Sequence, residues 1–476
     1  MSDRFSAVPR LTLLSEEQCQ MIHQAAIKIL ATTGVRVYHE QARSLLGSAG
    51  AKVSDETLIH IPQELVDWAI ESAPSQIQLY QRGTEEALVN LTGREVNFGT
   101  GSDCLHYLDP RDGKRRPFTS QDVIDAIHVV DALPELDFCM SMGIPADLGE
   151  DNAYLHQYAL LLEHTNKPVV FVCDDEADCE AIAVMAAAAA GGEKRLSAFP
   201  TLLLYSEPTT PLQHSNTATG KLLFMAEHQL PIVHSPAPMM GGTSPITLAG
   251  GLALGNAETL SSLVIHQLQN QGAPFVYGSG LHHMDMKTTI SVYGAPEFQL
   301  ARVAIAEMGQ FYQLPSWGYA GHSDSLVMDM QAAADAAFSI LVALLGGNNL
   351  VHDVGYLEAG LTTSPEMIVF SAEMISMMRR FMTGFGLSEE DFALDLIDDI
   401  GPGGDYLAAD HTFEHFRSFW QPQLFTRQRV EEWLADGELT LGDRLRERTL
   451  ALIKDHQPEP LPDQVRQTIQ EVLSDG

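Results

Sequence analysis

The aromatic and titratable residues of this 476-residue chain collect in and just beyond a series of short apolar runs. The first run holds Phe98 with Asp103 just beyond it, a later one holds Tyr205 with Glu207 just beyond, and the next holds His234. Another holds Tyr277, followed by His282 and His283, and the one after it holds Trp317 and Tyr319, followed by His322 and Asp324. His352, Asp353, Tyr356 and Glu358 close the series. Aromatic faces with one or two carboxylates suit an organic cation, above all a methylated ammonium that has no N–H to donate. Each ring taken singly is better explained by packing than by ligand binding, so the argument rests on the set. Phe98, Tyr205, Tyr277, Trp317, Tyr319 and Tyr356 are the cage candidates, with Trp317, one of four tryptophans, foremost. His282, His322 and His352 suit an anionic group on the ligand, while Asp103 and Glu358 suit orienting those histidines or facing the cation.

Competing chemistries lack their signatures. No H-x-H pair is present for a barrel zinc site, and no G-x-S-x-G elbow for a nucleophilic serine. HTFEH (His411 to His415) matches the H-x-x-E-H pattern of some zinc peptidases. It falls in an amphipathic segment followed by Phe416, Phe419 and Trp420, and reads as a packing helix, so no metal site is assigned. The glycine pairs Gly99/Gly101 and Gly278/Gly280 are followed three residues on by Cys104 and His283, so neither completes a dinucleotide fingerprint. No side chain is assigned a covalent or acid–base role.

The runs that position these residues are VNFGT, FCMSMGIP, VVFVCDD, PTLLLYS, PIVHSPAP, PFVYGSG, PSWGYAG and NLVHDVG. They begin at positions 96, 138, 169, 200, 231, 274, 315 and 349, and each is followed by a helix-like stretch. That repeat is the size of one βα unit and predicts an α/β fold, a (β/α)8 TIM barrel. Barrels of this kind carry their chemistry at the C-terminal ends of the strands, where the residues above fall. The expected helices are 120–132, 152–165, 177–190, 213–228, 246–270, 296–312, 329–346 and 365–383. Residues 1–92 read as an N-terminal helical and α+β segment, 93–387 as the barrel, and 388–476 as a C-terminal helical extension. Within the extension, the stretch from Phe416 to Pro458 reads as helical.

The chain carries 63 acidic and 28 basic residues, a net charge of −35. Such a surface repels nucleic acid and anionic lipid, and neither is expected as a partner. Five cysteines form no C-x-x-C pair, and free thiols in a reducing cytoplasm fit them best. No signal peptide or transmembrane helix is expected.

Four long segments resemble the trimethylamine:corrinoid methyltransferase family: Asn97 to Thr119, Gly241 to Ser279, Gly294 to Pro315 and Asn348 to Val369. HTFEHFRSFWQPQLFTRQRVEEWLADG is similar to that family's C-terminal segment. The resemblance covers nearly the whole chain and implies a TIM barrel that hands a methyl group to the cobalt of a corrinoid. The corrinoid would be presented by a separate cognate protein rather than held tightly here, and D-x-H-x-x-G, the cobalt-ligand motif, does not occur in this chain. The loops at Gly241–Gly242 and Ser279–Gly280 are the expected docking place for it. The founding members carry pyrrolysine in the segment matching Gly321 to Ala333, where the aligned position here is Leu326. The resemblance is therefore to the non-pyrrolysine branch. It implies demethylation of a quaternary amine, glycine betaine first, by a homo-oligomeric cytoplasmic enzyme. Proline betaine, carnitine or another methylated amine remains open as substrate, as does a betaine-binding barrel without catalysis.

Overall fold

The structure, a computed structural model, describes residues 6–149 and 152–475. Eight strands pair in parallel and in chain order: β1 (Asn97–Phe98), β2 (138–139), β3 (Val169–Phe171), β4 (Leu202–Ser206), β5 (Ile232–His234), β6 (Phe275–Val276), β7 (Trp317–Tyr319) and β8 (Leu350–His352). The circuit closes where β8 pairs with β1, Leu350 opposite Asn97 and Val351 opposite Phe98. Single bridges complete it at Gly99–Phe138, Cys139–Val169 and Tyr277–Ser316. The expected TIM barrel is the fold.

Each strand is followed by its helix: α1 (Ser120–Ala132), α2 (Ala153–His164), α3 (Glu176–Ala190), α4 (Asn216–Glu227), α5 (Leu248–Gln269), α6 (Pro296–Tyr312), α7 (Met330–Gly346) and α8 (Pro365–Met382). Capping side chains fix their starts. Asp175 accepts the Asp178 N–H, Thr247 the Gly250 N–H and Asp329 the Ala332 N–H. α5 is long and apolar enough to cross a membrane, but 83% of its apolar window is buried inside the protein. Gly251 and Gly255 let it lie against the wall, since a Cβ there would come within 2.6 Å of Leu281 and Ser279.

Strand alternation divides the core in two. Val170, Leu203, Val233, Val276, Trp317 and Leu350 point into the barrel, where they pack with Ile77, Leu79, Val89 and Leu91. Those four belong to an antiparallel hairpin, Ile77–Tyr80 with Ala87–Leu91, that plugs the end of the barrel opposite the rim. Phe98, Val169, Phe171, Leu204, Ile232, Tyr277 and Val351 point outward, into the layer between strands and helices. The rest of the N-terminal segment adds helices Glu16–Lys28 and Gln63–Ser72, both packed on α5.

The C-terminal stretch departs from the expectation of one long helical run. Only Val430–Ala435 and Leu441–Asp455 are helical beyond Ser418 before the last helix, Asp463–Asp475. Pro422 disfavours a helical residue before it, and Glu373 of α8 accepts the backbone N–H groups of Gln423 and Leu424 instead. Leu441–Asp455 packs on α1 and α8, and Asp463–Asp475 on α3 and α2. The helix holding HTFEH is only Asp410–His415, and it is not a packing element: its Phe413 is 70% exposed. Among the described residues, no group of three or more His, Cys, Asp or Glu is arranged to hold a metal ion.

Candidate active site at the barrel rim

A cavity of about 450 Å³ opens at the C-terminal ends of the strands. Five tyrosines line it: Tyr154 from the first turn of α2, Tyr205 at the end of β4, Tyr293 ahead of α6, Tyr319 at the end of β7, and Tyr356 beyond β8. Three carboxyl groups, Asp103, Glu207 and Asp353, share the wall with His282 and His352. Among the described residues, Lys221 of α4 is the one lysine or arginine that reaches it. Gly280 keeps the wall thin, since a Cβ there would lie 2.7 Å from the Tyr319 hydroxyl.

The floor is aromatic and stacked. Trp317 is fully buried beneath Tyr205, with ring centroids 5.3 Å apart and planes inclined by 27°, and its ring lies 4.1 Å from that of His352. Gly278 makes room for it, because a Cβ there would come within 2.6 Å of the Trp317 Cβ. Below Tyr319 the buried Arg302 guanidinium sits 4.6 Å from the ring centre and donates to the carbonyls of Ser279 and Leu281.

Burial sets the protonation states, and hydrogen bonds fix where the protons sit. His352 Nδ1 lies 2.9 Å from the Gly318 carbonyl and Nε2 lies 3.0 Å from an Asp353 oxygen. Burial pushes the His352 ring down to about 3 and the Asp353 carboxyl well above its usual range. The neutral arrangement follows: Nδ1–H donates to Gly318, and a protonated Asp353 donates to Nε2. Burial also raises Asp103, against hydrogen bonds from Ser102 Oγ at 2.8 Å and Tyr154 Oη at 3.4 Å. Glu207 is wetted through the cavity yet surrounded by protein. That surrounding pushes its carboxyl up to about 7, with the Asp103 charge adding to the rise and the Tyr205 hydroxyl, which donates to it, opposing. The cavity therefore offers π faces and carboxyl groups poised to ionise when a cation enters, and no paired nucleophile and base.

Of the residues singled out in the sequence, Asp103, Tyr205, Glu207, His282, Tyr319, His352, Asp353, Tyr356 and Gly280 line the cavity. Trp317 is its floor, one layer below, rather than a cage wall. Phe98 and Tyr277 do not reach it. Their neighbours on the strand hold the inward positions, so Phe98 lies under Arg379 of α8, and Tyr277 Oη donates to Asn256 of α5. His322 is fully buried behind Tyr293, with ring centroids 5.4 Å apart. Glu358 is held outside by Arg115, whose Nε lies 2.8 Å from its carboxylate. Ser279 is buried behind the wall, its Oγ 3.2 Å from the Pro236 carbonyl, and Gly241–Gly242 form an exposed rim turn. Leu326 is 63% exposed on the loop after β7, away from the lining. The sequence reading left Tyr154, Tyr293 and Lys221 unselected. All three sit on or just before barrel helices, and helix starts face the same rim as strand ends.

Fold and site together define a TIM-barrel enzyme with a tyrosine- and carboxylate-lined cavity at its rim. The trimethylamine methyltransferase (MTTB) family model matches residues 4–474, and the chain belongs to that family and is a methyltransferase. It is 32% identical to a trimethylamine methyltransferase of Desulfitobacterium hafniense (strain DSM 10664 / DCB-2), over 97% of this chain and 93% of that one. A glycine betaine methyltransferase of Desulfitobacterium hafniense (strain Y51) is 28% identical over 98% of this chain and 97% of its own. In fold, the crystal structure of the Methanosarcina barkeri monomethylamine methyltransferase superposes with a TM-score of 0.52 at 12% identity, covering 98% of this chain and 88% of that one.

Proposed function

We propose that the chain takes a methyl group from a quaternary ammonium, glycine betaine first, and gives it to the cobalt(I) corrinoid of a separate protein. The carrying observation is the cavity wall: five tyrosines and three carboxyl groups around a space of about 450 Å³. A trimethylammonium head cannot donate hydrogen bonds, so it is held by π faces and charge, and this wall supplies both. A quaternary nitrogen leaves as a neutral tertiary amine, so the step needs no proton, which suits a site whose histidines are held neutral. Tyr205, Tyr293 and Tyr319 would fix the head so that one methyl faces the open rim. Lys221 supplies the counter-charge for a carboxylate, a part the sequence reading gave to histidines. The glycine betaine methyltransferase relative supports this choice of substrate.

The corrinoid is a co-substrate presented by its own protein, which would dock over the rim at Gly241–Gly242, Gly280 and Gly360. The exposed apolar residues of the C-terminal stretch, among them Phe392 at 51%, Phe413 at 70% and Phe419 at 66%, support a homo-oligomer in which a second copy covers them. The acidic surface and five buried free cysteines suit a reducing cytoplasm and no nucleic-acid or membrane partner. The test is loss of the cobalt(I) absorbance with a panel of amines: glycine betaine, proline betaine, carnitine, tetramethylammonium and trimethylamine. Turnover with trimethylamine alone, or with none, overturns the reading.

A further inference from the structure

Two thiols meet at the edge of the cavity. Cys173 stands in the cavity wall just beyond β3, and Cys179 lies in the opening turns of α3, six residues on. Both are buried, and their sulfurs are 3.2 Å apart. Among the described residues this is the one contact between cysteine sulfurs: Cys104 faces the Gly360 carbonyl at 3.2 Å and Cys139 the Pro168 carbonyl at 3.8 Å, while Cys19 lies in the N-terminal helix Glu16–Lys28. Burial holds Cys104 and Cys139 firmly as thiols. Lys221 Nζ donates to the Cys173 carbonyl at 2.7 Å. Cys173 lines the cavity while Cys179 lies buried behind it, so Cys173 is the attacking sulfur and Cys179 the resolving one.

We propose that Cys173 and Cys179 form a reversible disulfide in the cavity wall, made by a hydroperoxide and undone by a dithiol. The Cys173 thiolate attacks a peroxide oxygen. The O–O bond breaks, leaving a sulfenic acid on Cys173 and a hydroxide that takes a proton to become water. The Cys179 sulfur then attacks the sulfenic sulfur, its S–O bond breaks, and a second water leaves with the Cys179 proton. Two thiols and one hydrogen peroxide give one disulfide and two waters, so two electrons pass from sulfur to oxygen. Closing the gap from 3.2 Å to a bond of about 2.05 Å draws Cys173 toward α3. Its carbonyl, the hydrogen-bond partner of Lys221, moves with it. Oxidation thus shifts the one lysine of the cavity. On the reading that the acceptor is cobalt(I), which survives only under reducing conditions, the pair reports those conditions to the substrate site.

The test uses the full-length protein and needs no substrate, so failure of the methyltransfer reading leaves it intact. After one equivalent of hydrogen peroxide and denaturation, free thiols should fall from five to three. Peptide mapping should then find Cys173 joined to Cys179, and dithiothreitol should restore all five thiols. Acetylation of Lys221, mapped by mass spectrometry, should change at least threefold between the two forms. Cys173→Ser and Cys179→Ser should each abolish the paired loss. Five thiols persisting in the wild type, a bond between other cysteines, or equal Lys221 acetylation in both forms would overturn the proposal.

Discussion

The Glu207 carboxyl gives the sharpest test of the cation reading, because its burial sets the pH at which the cavity becomes anionic. With that carboxyl pushed up to about 7, about one-tenth of it is ionised at pH 6 and about nine-tenths at pH 8. If a quaternary cation binds only the ionised form, its dissociation constant falls about tenfold between those values, about 1.4 kcal/mol. Water in the cavity screens the charge, so tenfold is the upper value. The sign follows from linkage: the cation favours the carboxylate, binding releases a proton, and affinity rises with pH. Isothermal titration with tetramethylammonium at pH 6 and pH 8 reads the effect. Buffers of different ionisation enthalpy count the proton. Glu207→Gln should bind with the weaker affinity at both values. Tyr205→Phe removes the hydroxyl that opposes the rise, so its midpoint should move above that of the wild type. A wild-type affinity that is flat from pH 6 to pH 8, with no proton released, would refute the argument.

Lys221→Met should weaken glycine betaine by about 10- to 100-fold, the worth of a charge-assisted hydrogen bond, and leave tetramethylammonium unchanged. Equal losses for the two ligands would remove Lys221 from carboxylate recognition. Trp317→Ala should act on the fold before the substrate, since a fully buried indole under Tyr205 and His352 costs about 3–5 kcal/mol to remove. Chemical denaturation measures it, and an unchanged midpoint would place Trp317 outside the packed floor. Changing Phe413 and Phe419 together to serine should reduce the mass in sedimentation if a second copy covers them, and an unchanged mass would mean that this face is free.

The barrel was legible because its signals are local. Eight apolar runs at βα spacing mark the strands, and the helices expected at 120–132 and 296–312 are found at those residues. Which face of a strand a residue takes was the weak step. Strands of two or three residues carry too little alternation to fix parity, so Phe98 and Tyr277 were turned the wrong way, while Val276 and Trp317 hold the inward places. Partners distant in sequence were also hidden. Arg115 captures Glu358 from 243 residues away, and Trp317 is covered by Tyr205, so an ion pair and a stacked floor replace two expected ligand contacts. Lys221 and Tyr154 could be assigned to the rim only once α4 and α2 were placed around the barrel.

If the substrate is a quaternary ammonium, the carboxyl groups that would draw it in bear on the rate in the opposite sense. In the ground state the methyl group would belong to a full cation, with Asp103, Glu207 and Asp353 in the wall around it. As the carbon leaves, positive charge drains from nitrogen, and the amine that remains is neutral. Attraction between carboxylate and ammonium is therefore strongest before the reaction and weaker at the transition state, so it lowers KM without raising kcat. A wall of permanently ionised carboxylates would hold the substrate at the expense of turnover. Burial moderates this by raising all three groups, leaving Glu207 near its midpoint at neutral pH. Glu207→Gln should then raise KM for the quaternary amine while kcat stays level or increases. A fall in kcat at unchanged KM would mean that the carboxylate stabilises the departing methyl group instead, and that charge at this position serves the chemistry rather than the capture.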